Sequence, residues 1–136
     1  MTIKSISGGG RFEKAGSYSR VKRVGPFVFV AGLTSMQSNG KVYAPFDVYE
    51  QTVFIFDKIE DYLKEAGAKM RHVVRTRAFL TDMRDAGGFI RRHGEVFQGI
   101  EPVLTGVEAG LTTPGMMVEI EVDAIIHNRK GEMSFK

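Results

Sequence analysis

The stretch EPVLTGVEAGLTTPGMMVEIEVDAII, residues 101–126, decides the fold. Gly110, Pro114 and Gly115 predict a loop between two strands. In the second strand, apolar residues alternate with Glu119, Glu121 and Asp123, and this two-residue period predicts a strand with one buried face. The opposite face carries three carboxylates, which must meet water, cationic partners or a binding cleft. We therefore look for function first on this acidic face, although most polar sheet faces are simply solvated.

The composition indicates one globular domain over residues 1–136, with 43% hydrophobic and 26% charged residues. A chain of this length buries roughly two-thirds of its unfolded surface. No apolar run approaches the ~18 residues of a membrane-spanning helix, and MTIKSISGGGRFEK at the N-terminus lacks the apolar segment of a signal peptide. We therefore expect a cytoplasmic protein without membrane contact. The absence of cysteine excludes disulfides and thiolate metal sites, and the net charge of +3 does not indicate nucleic acid binding.

The order of patterns along the chain predicts an α+β domain in which two helices cover one face of a six-stranded mixed sheet. A loop-rich N-terminus over residues 1–17 and a polar, frayed tail over residues 127–136 flank it. The predicted strands cover 3–6, 18–24, 27–32, 71–81 and the two strands of 101–126, and the predicted helices cover 48–66 and 85–97.

Local signals support these elements. Asp47 and Glu50 form the pattern of a capping box at the start of the first long helix. In the strand over residues 71–81, Arg75 and Arg77 share a face with Val73 and Phe79, while Val74, Thr76, Ala78 and Leu80 share the other. If this strand lies beside the acidic one, Arg75 or Arg77 pairs with Glu121 or Asp123.

Simple catalytic motifs are missing. The three histidines have no ligand spacing, so we expect no metal site. His93 is open to two interpretations, a satisfied interface or core histidine or a catalytic base. A loose group of basic residues predicts either a solvated face or an RNA-contacting patch. It consists of Arg11, Lys14, Arg20, Lys22 and Arg23.

Four segments together resemble the Rid family (reactive intermediate deaminase, also called YjgF or L-PSP endoribonuclease-like). They are YSRVKRVGPFVFVAG (18–32), RTRAFLTDM (75–83), PVLTGVE (102–108) and VEIEVDAI (118–125). The resemblance implies a chorismate-mutase-like fold and a homotrimer with a small-molecule cleft between subunits. It also implies cofactor-free hydrolysis of enamines and imines released by pyridoxal-phosphate enzymes. Some members were described as ribonucleases or translation inhibitors.

On this resemblance, the cleft tyrosine is Tyr18, the glycine whose backbone touches the ligand is Gly32, and the carboxylate that activates water is Glu119. The arginine that binds the substrate carboxylate is replaced by Leu104, followed by Thr105. Gly94 stands where the family often has asparagine, and the neighbouring His93 is a further substrate-binding candidate.

The replacement by Leu104 changes the expected substrate. A bidentate arginine–carboxylate contact consists of charge-assisted hydrogen bonds worth about 1.5–3 kcal/mol each, so 2-imino acids should bind at least tens of times more weakly here. We expect an imine or enamine hydrolase for another substrate, neutral or cationic, with Thr105 as a hydrogen-bonding group and Leu104 as an apolar wall. The alternative is a non-catalytic binding or regulatory trimer, and an RNA-acting protein is the least favoured.

Overall fold

Six strands form one mixed sheet in the computed structural model, which describes residues 2–136. The strands are β1 (Ile3–Ile6), β2 (Val21–Val24), β3 (Phe27–Leu33), β4 (Val73–Leu80), β5 (Val103–Glu108) and β6 (Val118–Ile125). Their order across the sheet is β1-β2-β3-β6-β4-β5, and every neighbouring pair is antiparallel except the parallel pair β4 and β5. The predicted sheet is confirmed, with β6 in its middle.

Two long helices cover one face of the sheet. The helices are α1 (Arg11–Gly16), α2 (Val48–Glu65) and α3 (Ala86–Phe97), with 3₁₀ turns at Met70–His72 and Met83–Asp85. The predicted start of α2 is confirmed, because the Asp47 side chain accepts a hydrogen bond from the N–H of Glu50 at 3.0 Å. Among residues 2–136, none of these helices combines the length and apolar character needed to cross a membrane.

The core lies between the sheet and the helices α2 and α3. Val118 and Ile120 of β6 are 0% exposed, and Ile55 and Ile59 of α2 are equally buried. Each buried aliphatic side chain of this size contributes about 1.5–3 kcal/mol. The apolar half of β6 is therefore the centre of the core, as its alternation predicts.

Gln51 is a polar residue within this core. Its amide nitrogen donates to the carbonyls of Ala44 at 3.0 Å and Gly115 at 2.7 Å, and its amide oxygen accepts from the N–H of Met117 at 2.8 Å. The side chain is fully buried, so these three hydrogen bonds satisfy groups that would otherwise be costly to bury. One side chain of α2 thus holds two separate loops.

The predicted alternation is wrong at the beginning of β4. Val73 was expected on the open face and Val74 on the core face, yet Val73 is 3% exposed and Val74 is 36% exposed. The pairing of β4 with β6 shifts register between Val73 and Arg75. A bulge of this kind inserts one residue and inverts the alternation on one side of it.

The N-terminal segment contains a helix where only loop was predicted. Helix α1 ends at Ser17, which adopts a left-handed conformation with φ of 57°. The carboxylate of Glu13 accepts hydrogen bonds from the N–H of Gly8 at 2.9 Å and from the hydroxyl of Ser7 at 3.2 Å. These hydrogen bonds hold the preceding loop against the helix. A helix of six residues between glycines is too short to show a period in sequence.

The prediction of a frayed tail over residues 127–136 is also wrong. The N–H of Ser134 donates to the carbonyl of Ile126 at 2.9 Å. The buried guanidinium of Arg23 donates to the backbone oxygen of Lys136 at 2.6 Å and also to the carboxyl end of α2. Arg23 is therefore a structural residue that fastens the tail to the helix.

Candidate functional site

Glu119 and Gly32 are immediate neighbours on adjacent strands. Glu119 lies on the open face of β6, opposite Phe79 of β4. A Cβ atom added to Gly32 would lie 2.9 Å from Cδ of Glu119, closer than real contacts allow. The pairing of β3 with β6 is irregular between Val30 and Leu33, which brackets this glycine, and such bulges are common next to active sites. Glycine at position 32 therefore makes the room that the carboxylate occupies.

The carboxyl group of Glu119 is half-buried. Burial raises its pKa above the ordinary glutamate value, the nearby guanidinium of Arg20 opposes that rise, and the negative charge of Glu121 adds to it. A carboxylate whose pKa is raised toward neutral is a more effective general base than an ordinary one.

The other two carboxylates of β6 are paired with arginines of β4. Asp123 lies 3.9 Å from Nε of Arg75 and 3.4 Å from Nη1 of Arg77, and Glu121 lies 3.5 Å from the same Nη1. The prediction of these cross-strand pairs is confirmed. Glu119 faces Phe79 instead, so β4 offers it no cation.

Arg20 connects the site to the N-terminal segment. Its Nη1 donates to the carbonyl of Gly32, and its Nη2 lies 3.5 Å from Oε2 of Glu13. Burial raises the pKa of Glu13, but hydrogen bonds from Gly8 and the charge of Arg20 outweigh it and hold that pKa below its usual value. Arg20 was predicted only as one of a loose group of basic residues, so this role was not foreseen. The available signal was its spacing of two residues from Tyr18, which puts both side chains on one face of a strand.

Glu119 lines a cleft of about 1110 Å³, a volume on the scale of small-molecule sites. Its lining includes Tyr18, Arg20, Gly32, Thr113 and Glu119. Helix α2 forms a further wall through Phe54, Lys58 and Tyr62, which are spaced four residues apart and therefore share one helix face. This wall was not predicted from the sequence, although the four-residue spacing of its three side chains, next to the apolar stripe of α2, was a usable signal.

His93 does not line this cleft and belongs to the core. The side chain is 9% exposed, its Nε2 lies 2.8 Å from Oγ1 of Thr76, and aromatic rings surround it. These rings are Phe56, Phe89 and Phe97. Burial lowers the pKa of His93 and favours the neutral imidazole. His93 is thus buried among aromatic rings in this chain, and its contact with substrate stays a prediction. Among residues 2–136, no group of histidine and acidic side chains has the arrangement of a metal site.

The family of the chain follows from comparison with known proteins. The family described as Endoribonuclease L-PSP matches residues 9–126. The chain belongs to this family. It is the Rid family under another name, so the resemblance seen in the sequence is confirmed.

Relatives of this chain include proteins with and without an assigned activity. An uncharacterised protein of Streptomyces coelicolor is 31% identical over 123 residues, which cover 90% of this chain and 91% of the relative. The mouse 2-iminobutanoate/2-iminopropanoate deaminase is 27% identical over 110 residues, which cover 81% of this chain and 82% of the mouse protein. A crystal structure of a YjgF-family protein from Mycobacterium tuberculosis has a TM-score of 0.82 and 38% identity, covering 92% of this chain and 100% of that one.

Two of the family-derived candidates lie apart from the rest of the site. Leu104 and Thr105 belong to β5, and β4 separates that strand from β6. Leu104 is aligned with Thr76 and Thr105 with Arg77, and neither lines the cleft of Glu119. A single chain of this Rid protein thus brings together Tyr18, Gly32 and Glu119 and leaves the β5 residues at the edge of the sheet.

Proposed function

We propose that this Rid-family protein hydrolyses an imine or enamine to a carbonyl compound and ammonia. The observation that supports it is Glu119, a half-buried carboxylate without a cross-strand arginine, at the floor of a cleft of small-molecule size. An enamine first becomes the imine by gaining a proton on carbon and losing one from nitrogen. Glu119 then accepts a proton from water as the water oxygen bonds to the imine carbon, and it passes that proton to the nitrogen. The resulting carbinolamine then loses ammonia and becomes a carbonyl.

The proposed substrate lies outside the simple 2-imino acids. In the cleft between subunits that the family resemblance implies, Leu104 offers no charge or hydrogen-bond donor to a carboxylate on the reacting carbon. Each charged hydrogen bond lost with the family arginine is worth about 1.5–3 kcal/mol, which corresponds to roughly tenfold or more in affinity. The substrate must therefore gain its affinity from other contacts in the cleft.

A homotrimer would complete this cleft, and the open sheet face supports that assembly. Phe27 and Phe29 of β3 are 40% and 48% exposed on a face that no helix covers, and exposed apolar patches of this kind mark protein interfaces. Light scattering coupled to size exclusion should give three times 15.1 kDa, or about 45 kDa. A monomer at micromolar concentration would contradict the shared cleft.

The alternative of RNA binding has little support, because two of the basic residues on which it rests are engaged within the protein. The guanidinium of Arg20 is engaged by Gly32 and Glu13, and that of Arg23 is buried against α2 and the tail. Neither is available to phosphates as part of a surface stripe.

The test is turnover of imines generated in situ by a flavin amine oxidase, which carry no carboxylate on the reacting carbon, with carbonyl formation followed in the presence and absence of the protein. We expect Glu119→Gln to lower the accelerated rate by about 10²–10⁴-fold, the usual contribution of a general base. Asp123→Asn is the matched control on the same face of β6, and it should retain the rate. Wild-type activity in Glu119→Gln would contradict the proposed mechanism. Ligand binding without turnover of any imine would favour the non-catalytic alternative.

A further inference from the structure

Lys58 is a cation of the cleft that has no ionic partner. It lies on the α2 wall, and its Nζ is 5.9 Å from the centroid of the Phe54 ring. Among residues 2–136, the side chain takes part in no salt bridge. An ammonium group in this position is available to a ligand anion.

The other arginines near the site are already engaged or lie elsewhere. Arg20 is held by Glu13 and by the carbonyl of Gly32. Arg91 stacks over the Tyr49 ring at 3.8 Å, and Arg92 lies 3.5 Å from the carboxylate of Glu95, so both are used outside the cleft. Arg91 and Arg92 therefore do not supply, in this chain, the charge of the family arginine that Leu104 replaces.

The balance of charge in the cleft favours an anion. Three cations line it, Arg11, Arg20 and Lys58, against two carboxylates, Glu13 and Glu119. Arg20 pairs with Glu13, and Arg11 and Lys58 outnumber Glu119 among the remaining charges of the cleft. A cationic substrate, one of the options open from sequence, is disfavoured by this arrangement.

We propose that Lys58 is a specificity-determining residue that binds a carboxylate on the substrate. This inference rests on the proposed function. Lys58 belongs to α2 and Glu119 to β6, and the two side chains form no salt bridge. The proposal places the carboxylate at Lys58 and the reacting carbon at Glu119, with a spacer joining them in the substrate. The substrate class is an imine or enamine with a distal carboxylate.

A carboxylate fits this site better than a phosphate. The triglycine loop borders the cleft, but the N–H of Gly8 already donates to Glu13 and the N–H of Gly9 to the hydroxyl of Ser7. Phosphate sites in proteins are commonly cradled by several backbone N–H groups. A single ammonium group matches the single charge of a carboxylate.

Calorimetric binding of product analogues tests the inference without requiring turnover. The probes are 2-oxoglutarate, which has a distal carboxylate, 2-oxobutyrate, which lacks it, and inorganic phosphate. We expect the wild type to bind 2-oxoglutarate about tenfold or more tightly than 2-oxobutyrate, and Lys58→Met to abolish that ratio. Lys58→Arg should preserve it. Lys64→Met is the control on the same helix, since Lys64 is exposed outside the cleft and pairs with Glu60 at 3.9 Å.

The outcomes separate this inference from the proposed function. Equal affinity for the two oxo acids in the wild type, or a ratio unchanged by Lys58→Met, would overturn the assignment. It would also fall if Arg11→Met abolished the ratio and Lys58→Met did not, or if phosphate bound more tightly than 2-oxoglutarate. A ratio that depends on Lys58 in a protein that hydrolyses no imine would support the anion site and contradict the enzymatic function.

Discussion

The three carboxylates of β6 share one face of one strand, but they differ in their surroundings. Glu121 and Asp123 lie beside arginines of β4 at 3.4–3.9 Å. Glu119 lies beside Phe79 and against the bare backbone of Gly32, and burial raises its pKa. The same alternation of residues thus produces two neutralised acids and one available base.

The difference originates in the neighbouring strands. On β4 the residue opposite Glu119 is Phe79 rather than an arginine. On β3 the backbone of Gly32, within the irregular part of its pairing with β6, lies against the Glu119 side chain. The function of a carboxylate on a sheet is therefore set by the residues beside it across the strands, which sequence spacing within one strand does not reveal.

Filling the space at Gly32 should have the largest effect on what distinguishes Glu119 from the two paired acids. In Gly32→Ala, the new methyl group would lie 2.9 Å from Cδ of Glu119 and displace the carboxylate. Because a displacement of about 1 Å can reduce a rate roughly a hundredfold, we expect a loss of kcat of that order on the best imine substrate. Gly106→Ala on β5 is the control, since its methyl group would meet only the carbonyl of Ala78 at 3.9 Å. Unchanged kcat in Gly32→Ala would show that the position of Glu119 is not critical.

Restoring the family arginine should add the contact that β5 lacks. The wild type should hydrolyse 2-iminopropionate and 2-iminobutyrate poorly, and Leu104→Arg should raise that activity on the order of tenfold. Leu104→Gln, which adds polarity without charge, is the control, and Gly94→Asn in combination tests whether a second contact is needed. Fast wild-type turnover of 2-iminobutyrate would contradict this account of the site.

Removing the cation beside Glu119 should change its pH dependence. Arg20 lowers the pKa of Glu119 against the effect of burial, so Arg20→Gln should raise that pKa further. Since the ionised carboxylate is the base, the acidic limb of the kcat/KM profile should move to higher pH. Lys22→Gln is the control, because Lys22 bonds to Ser5 outside the cleft. A limb that stays in place or moves to lower pH would contradict the coupling.

The paired acids should show the smallest effect. The side chains of Arg77 and Asp123 are 39% and 27% exposed, and exposed ion pairs typically contribute about 0.2–1 kcal/mol. A double-mutant cycle with Arg77→Met and Asp123→Asn, measured by urea unfolding, should give a coupling within that range that weakens with salt. A coupling energy well above about 1 kcal/mol would contradict the exposure of this ion pair to solvent.

Patterns that repeat along the chain made most of the fold predictable. The alternation in β6 and the cap of α2 by Asp47 are local signals, and the structure follows them. The exchange of Val73 and Val74 was not predictable in this way, because a bulge depends on the pairing partner. Short α1 likewise depends on tertiary contacts of Glu13.

The site was predictable only in part for the same reason. Tyr18, Gly32 and Glu119 were available from the family resemblance, and they line one cleft. The contacts of Arg20 and the α2 wall containing Lys58 appear only when strands and helix are brought together. The burial of His93 was not predictable either, because its hydrogen bond to Thr76 joins residues on different elements.

The buried amide of Gln51 has a consequence for how a ligand enters the cleft. Loop residues Thr34 to Gly40 border the cleft on one side and Thr112 to Met116 on the other. The same amide bonds to Ala44, beyond the first of these segments, and to the chain around Gly115 in the second. Displacing either of the two attached segments strains hydrogen bonds of the same amide, so one buried side chain couples the positions of both borders of the cleft.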